Sequence, residues 1–367
     1  MTRQRGVPDA GPVVLGVLHP PEWFGARADL DAALDAVRSL DPRIEVIVET
    51  YEEGQHLRTL RGRPDGIDEA RRLAPTLTAA QLSMFGRVTA VLAIDLPFDV
   101  GSVAPHLAWV QGLGSGHAQL ESAGLAASGI RLTHARGVNA VAIAEFVIGR
   151  VLAERKRFTE LDDRQAHRRW EPLYGAELAG STIGLVGLGA INSAVAARLR
   201  PFGVEIVATR RSARPGDTAP DVDRLVPTSE LRAMLGWCDV VVCALPESPE
   251  TIDLFDTETF AAMRPGSLFV NVGRGSLVDE SALIAALRTG HLRGAILDVQ
   301  RNEPLPIDDP LWDAPNLVLS PHSSTAPSAL FANLHRLWQA NIVNWLAGAA
   351  LLNEVDLHRF DPPGVDS

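Results

Sequence analysis

Lysine is nearly missing from this chain. Lys156 is the only one, so the other basic residues among the 34 Lys and Arg are arginines, a bias read as compositional. A Schiff-base enzyme would have to use Lys156, which sits in the charged helix-end stretch AERKRF, and that chemistry is set aside. Cysteine is also scarce. Cys238 and Cys243 flank the apolar run WCDVVVCAL, which suits buried free thiols better than a disulfide or a metal site and fits a reducing, cytoplasmic compartment. No run of 18 apolar residues occurs, so no membrane-spanning helix is expected and no membrane partner. The start, MTRQRGVPDAGPVVLGVLHP, lacks a sustained apolar segment and a small-residue cleavage site; it reads as a ragged tail before the first strand. Excess positive charge is absent as well: a formal net charge of −11 argues against a nucleic-acid partner. The histidines are scattered without paired ligand spacing, so no metal site is expected.

What is present is an ordinary globular composition, 46% apolar and 22% charged, over 367 residues, enough for two domains. From residue 181 the pattern is regular. STIGLVGLGAINSAVAARLRPFG is a short apolar run, a glycine turn and an alanine-rich helical stretch. VEIVAT, DVVVCALP (239–246), SLFVNVG (267–273), RGAILDV (293–299) and NLVLS (316–320) follow as strands, with helices at 229–235, 257–264 and 279–289. Short continuous apolar strands alternating with helices imply a parallel sheet covered on both faces, that is, a doubly wound α/β domain. The first part repeats the style more loosely. Strands are expected at 13–19, 44–50, 88–94 and 107–113, with an amphipathic helix over 27–40 carrying Leu30, Leu34 and Val37 on one face. RTLRGRPDGIDEARR (58–72) reads as a polar surface loop. A helix at 141–158 is expected to link the halves; its Phe146, Val147, Ile148, Val151 and Leu152 cover more than one stripe, as at a subunit or domain interface. A final helix near 327–348 would return the chain to the first domain. The expected division is therefore a discontinuous substrate domain, 1–137 with 325–367, and a dinucleotide-binding domain, 138–324.

GLGAIN (187–192) matches the dinucleotide fingerprint G-x-G-x-x-G/A in all but its last position. Gly187 permits the tight turn and Gly189 lets backbone approach a pyrophosphate. The helix that starts at Ala190 and Ile191 then offers its first amides to the phosphates. Asn192 in the last position predicts a looser helix–strand contact. Arg210 falls 21 residues beyond Gly189, where an NAD site places the acid that holds the ribose. Arg210, Arg211 and Ser212, with Arg214, form instead a cradle that suits a 2′-phosphate, so NADP(H) is the preferred cofactor, with NAD(H) as the alternative. Three polar groups stand at strand ends, where an open α/β sheet places its ligand crevice: Arg274 in NVGRGSLVDE, Glu303 in DVQRNEPLP and His322 in SPHSST.

GLGAIN, NVGRGSLVDE, DVQRNEPLP and NLVLSPH occur in the order and spacing of a known family. From LAWVQGLGSG to LLNEVD the chain resembles the NAD(P)-dependent D-isomer-specific 2-hydroxyacid dehydrogenases. The resemblance implies a Rossmann-type cofactor domain and a flavodoxin-like substrate domain, with the active site in the cleft between them and a homodimeric assembly. It assigns Arg274, Glu303 and His322 as the catalytic trio. The loop GLGSG, with Ser115 and Gly116, would meet the substrate carboxylate, as would Arg274. Asp298 would lie near the nicotinamide carboxamide, and Leu245 and Pro246, with Thr251 nearby, would line the adenosine side. An RRS-type sequence at 210–212 resembles NADPH-preferring members such as glyoxylate/hydroxypyruvate reductases. Ser323 and Ser324 depart from the apolar and small residues common in relatives, and His117 stands where Val or Asp is frequent.

The chemistry fits the assignment. Hydride delivery to a 2-oxo acid places negative charge on the carbonyl oxygen. Arg274 can bridge that oxygen and the carboxylate, protonated His322 can supply the proton, and Glu303 favours the imidazolium and fixes its tautomer. Two other readings stand beside this one. Oxidation of another small anion on the same scaffold is the first; formate enzymes pair His with Gln, which Glu303 opposes, whereas phosphite is compatible. A non-catalytic, dinucleotide-sensing binding module is the second.

Overall fold

The computed structural model describes residues 11–24, 27–114, 116–214 and 216–357. The chain divides into two compact units, Met1–Val138 with Pro327–Ser367, and Asn139–Ala326.

Unit 1 carries five parallel strands: β1 (Val13–Val17), β2 (Ile44–Val48), β3 (Ala90–Ala93), β4 (Trp109–Gly112) and β5 (Arg131–Thr133), in the order β2-β1-β3-β4-β5. This is the flavodoxin-like order. β1 is buried along its whole length, as a strand covered on both faces must be. Leu30, Leu34 and Val37 of the helix Arg27–Arg38 cover it, together with Leu334, Trp338, Ile342 and Trp345 of the final helix Pro327–Leu346. The Trp345 ring stands 5.7 Å from that of Trp109, and burying one such side chain stabilises by about 1.5–3 kcal/mol.

Residues 58–72 are not the expected loop. They form parts of two helices, Gln55–Arg61 and Ile67–Leu73, separated by the turn Pro64–Gly66. Leu57 and Ala70 are buried, and so is Arg61. Its guanidinium donates to the Glu53 carboxylate, the Ser122 hydroxyl and the Leu96 carbonyl, and lies 4.1 Å from the centre of the Phe98 ring. A buried charge needs such partners, and a polar count in the sequence cannot reveal that an arginine has them. The helix Ala79–Phe85, closed by a capping box between Thr78 and Gln81, also escaped the apolar pattern.

Unit 2 carries seven parallel strands: β6 (Thr182–Val186), β7 (Glu205–Thr209), β8 (Arg224–Val226), β9 (Val240–Cys243), β10 (Ser267–Asn271), β11 (Leu292–Leu297) and β12 (Leu317–Leu319). Their order, β12-β11-β10-β9-β6-β7-β8, is that of a Rossmann sheet with a seventh strand, and the chain reverses direction between β6 and β9. The helix Ala140–Arg155 uses its apolar side inside this unit. Val147, Ile148 and Val151 are buried, and Phe146 and Leu152 pack against the same core. Strongly exposed aromatics come later, at Trp170 and Tyr174. Among the described residues no helix is long and apolar enough to cross a membrane.

Candidate active site

At the point where the strand order of unit 2 reverses, β6 runs into Gly187. This residue has φ +87°, and a Cβ on it would lie 2.4 Å from Cδ2 of Leu245, beyond the end of β9. Glycine suits the conformation, and any larger residue would also have to displace the Leu245 side chain. The loop is pinned by the end of β7: Gly187 N donates to Thr209 Oγ1 (3.0 Å) and Leu188 N to Thr209 O (2.8 Å). Gly189 caps the helix Ala190–Leu199 without a side chain. The amides of Ala190, Ile191 and Asn192 open this helix, where no intrahelical acceptor exists for them.

Asn192 does not loosen the turn. It is fully buried, and Nδ2 lies 3.2, 3.0 and 3.3 Å from the carbonyls of Val186, Gly187 and Val242. An amide donor ties the turn to both strand ends, where glycine would give only close contact.

Past β7 the arginine cluster meets acids. Arg210 is partly buried; its Nη2 stands 3.9 Å from Asp217 Oδ2, and its Nε is buried without a hydrogen-bond partner. Asp217 also accepts from Arg214 N (3.0 Å). Arg211 and Ser212 are exposed. The Glu250 carboxyl is held below its usual range, chiefly by the Ser248 side chain and also by the charge of Arg211. Thr251 is occupied in its own turn, its Oγ1 donating toward Pro246 O (2.9 Å) or Ser248 O (3.1 Å) and accepting from Ser248 N.

The strands β10, β11 and β12 deliver the other three groups. Arg274 follows β10, with an exposed side chain whose Nη1 donates to Gly273 O (2.7 Å). Asn271 Nδ2 donates to the Arg274 carbonyl (2.8 Å) and fixes the turn. Gly275 lies against the next loop: a Cβ there would come within 2.0 Å of the Gln300 carbonyl and 2.4 Å of Arg301 N. That loop carries Glu303. Its Oε1 accepts from Gln300 N (3.0 Å) and its Oε2 lies 2.9 Å from His322 Nδ1, while Glu280 Oε1 holds Arg301 N (2.8 Å). His322 and Glu303 are half-exposed, so the pair faces solvent. His322 and Glu303 are in direct contact, and the turn that carries Arg274 meets their loop where Gly275 packs on residues 300–301.

Asp298 is buried and engaged by the chain itself. Its Oδ1 accepts from Ser320 Oγ (2.6 Å), Ser323 N (2.9 Å) and Ser324 N (3.1 Å). This knot, Asn192 and Gly275 are the parts that pattern reading missed; Asn192 in the fingerprint and the serines in SPHSST were the available signals. In unit 1, Gly116 is exposed beyond β4, while Ser115 lies outside the described residues, so both assignments rest on the motif.

Comparison with known proteins narrows what this geometry serves. The profile of the D-isomer specific 2-hydroxyacid dehydrogenase, NAD binding domain, matches residues 148–324. The chain is 35% identical over 276 residues to glyoxylate reductase from Thermofilum pendens, spanning 72% of this chain and 80% of that one. It is 34% identical over 266 residues to D-3-phosphoglycerate dehydrogenase from Mycobacterium leprae, 71% of this chain but 48% of that one. A solved structure of a D-isomer specific 2-hydroxyacid dehydrogenase from Xanthobacter autotrophicus Py2, in complex with NADPH and MES, matches with a TM-score of 0.70 at 25% identity, over 95% of this chain and 99% of that chain. Fold and matches together define an oxidoreductase of CH–OH groups built around a nicotinamide-dinucleotide domain. More narrowly, the chain belongs to the D-isomer specific 2-hydroxyacid dehydrogenase family.

Proposed function

We propose that the protein reduces a small 2-oxo acid of the glyoxylate or hydroxypyruvate type to the D-2-hydroxy acid, with NADPH as preferred cofactor and NADH as a weaker substitute. The observation that carries this reading is the His322–Glu303 contact at 2.9 Å, on the strand ends beside the Arg274 turn. The residues present fit a dinucleotide: free helix amides at 190–192, a glycine at the closest approach, and an Arg210 Nε buried without a partner. When bound, the nicotinamide supplies the hydride.

The chain supplies the rest. Arg274 holds the substrate carboxylate and carbonyl oxygen and stabilises the charge that grows on that oxygen. Glu303 accepts from His322 Nδ1–H, which leaves Nε2 to deliver the proton. Arg210 and Arg211 favour a 2′-phosphate over a bare ribose, whereas Asp217 near Arg210 offsets part of that charge. Relatives acting on glyoxylate support the substrate class.

Consumption of NADPH and NADH with glyoxylate, hydroxypyruvate and a panel of larger 2-oxo acids tests the reading. Dinucleotide binding without turnover of any 2-oxo acid would overturn it in favour of another small anion or a sensing module. A homodimer is part of the proposal, supported by the exposed Phe158, Leu161, Trp170 and Tyr174 on consecutive segments of unit 2; a monomeric mass by light scattering would refute it. A cytoplasmic setting is supported by Cys238 and Cys243, free thiols that burial pushes up to about 12.

A further inference from the structure

His322 has an uncommon backbone. Its φ is +51°, in the left-handed region that a residue with a Cβ enters at some cost. Such a conformation persists only where the surroundings over-determine it. Here one carboxylate on the neighbouring strand end supplies most of the side-chain contacts to residues 320–324. Asp298, 1% exposed, follows β11 and reaches both sides of the histidine. On the near side it accepts from Ser320 Oγ at 2.6 Å; on the far side it accepts from Ser323 N at 2.9 Å and from Ser324 N at 3.1 Å through Oδ1 and 3.2 Å through Oδ2. Its backbone carbonyl accepts from His322 N at 2.8 Å, an amide that also lies 3.0 Å from Ser320 O. Ser320 and Ser324 are themselves buried.

We propose that Asp298 and Ser320 are positioning residues: together they lock residues 320–324 so that the strained His322 presents Nδ1 to Glu303 and Nε2 to the substrate. This adds to the role that the family resemblance gives Asp298: Oδ1 is spent on three donors of the chain's own loop. The inference rests on His322 as the acid–base group. Every partner is a donor and the carboxylate accepts with charge; asparagine keeps one oxygen for the three donors, loses the charge and brings its NH₂ to the place of Oδ2, beside Ser324 N. Ser320 matters because its hydroxyl is the side-chain contact that ties the near side of His322 to Asp298, beside the Gln300 amide that donates to the Ser320 carbonyl (3.3 Å). Without it the carboxylate still holds 323–324, but the segment before His322 keeps only its backbone bonds and the Gln300 contact, and this looser hold lets the imidazole drift from Glu303. A misplacement of about 1 Å at a reacting group can cost about 10²-fold in rate.

The test compares Ser320→Ala, Asp298→Asn and His322→Ala in the full chain, by glyoxylate reduction at saturating NADPH across pH and by direct NADPH titration. The lock predicts that Ser320→Ala lowers kcat about tenfold or more, leaves NADPH affinity unchanged and moves the alkaline limb of kcat to lower pH, as the imidazolium loses Glu303. Asp298→Asn, which keeps the oxygen acceptor but loses the charge, shows the same pattern; should it fail to fold, Ser320→Ala carries the test. A Ser320→Ala enzyme with the parent's kcat and pH profile overturns the lock, as does a loss of kcat with an unshifted limb, the mark of a merely structural role. Asp298→Asn that weakens NADPH binding with kcat intact makes Asp298 a cofactor contact instead. Retained turnover in His322→Ala overturns the underlying reading, whereas an inactive His322→Ala beside an unaffected Ser320→Ala overturns the lock alone.

Discussion

Oε2 of Glu303 stands 2.9 Å from Nδ1 of His322, and Oε1 of the same carboxylate is held by the amide of Gln300 at 3.0 Å. The carboxylate is therefore oriented by its own loop before it orients the imidazole. Glu303→Gln keeps the shape and removes the charge. A hydrogen bond to a charged group contributes roughly 1.5–3 kcal/mol against about 1 for a neutral one, so kcat for reduction should fall by about tenfold. The protonated imidazole is the form that loses support, so the alkaline limb of reduction should move to lower pH. A pH–rate series checks both; an unchanged limb would show that Glu303 does not act on His322.

Gly275 makes Arg274 and Glu303 parts of one arrangement. A methyl group at this position would overlap the Gln300 carbonyl at 2.0 Å, so Gly275→Ala must push residues 300–303 outward. The expected result is a loss of about 10²-fold in kcat/KM with dinucleotide binding retained, measured by turnover and cofactor titration. An active Gly275→Ala enzyme would mean that the loop moves without harm to the site.

Arg210→Asp reports on the cofactor. Removing a charge-assisted phosphate contact and adding a repulsive carboxylate should lower kcat/KM for NADPH by about 10–100-fold and raise that for NADH. Equal use of both cofactors by the parent enzyme would reduce the arginine cluster to a surface turn.

Acid should destabilise unit 1. Burial lowers His19, His134 and His335 to about 4 from an ordinary value of 6.5, with help from His117 and Arg136 at His134 and from His19 at His335. Between those values the unfolded chain binds protons that the folded chain refuses. Stability is therefore fully present above about 6.5 and is lost as pH falls toward about 4. Urea midpoints at about pH 7.5 and about pH 5 should differ in that direction, and His19→Gln should shrink the difference. A midpoint that rises on acidification would contradict the sign.

Much of the fold was legible because parallel strands buried on both faces read as continuous apolar runs. SLFVN and TIGLV leave little choice, and the glycine turn follows directly from the second. The loop expected at 58–72 failed because Arg61 is a core residue, a role that depends on Glu53, Leu96 and Ser122, remote in sequence. β5 and β8 were missed because RLT and RLV are short and each opens on an arginine, whereas the equally short LVL of β12 is apolar throughout. Arg274, Glu303 and His322 were singled out at strand ends, and the structure brings two of them, Glu303 and His322, into contact. The Asp298 knot was not singled out, since its partners are backbone amides and serines whose pairing exists only once β11 and β12 lie side by side.

The central claim is that His322 carries the proton in 2-oxo acid reduction. Its most direct test is glyoxylate-dependent NADPH oxidation by His322→Ala, with NADPH binding titrated in the same preparation. The account predicts a fall in kcat of about 10²–10⁴-fold with cofactor affinity preserved. Turnover near the parent's rate, with NADPH still bound, would contradict it.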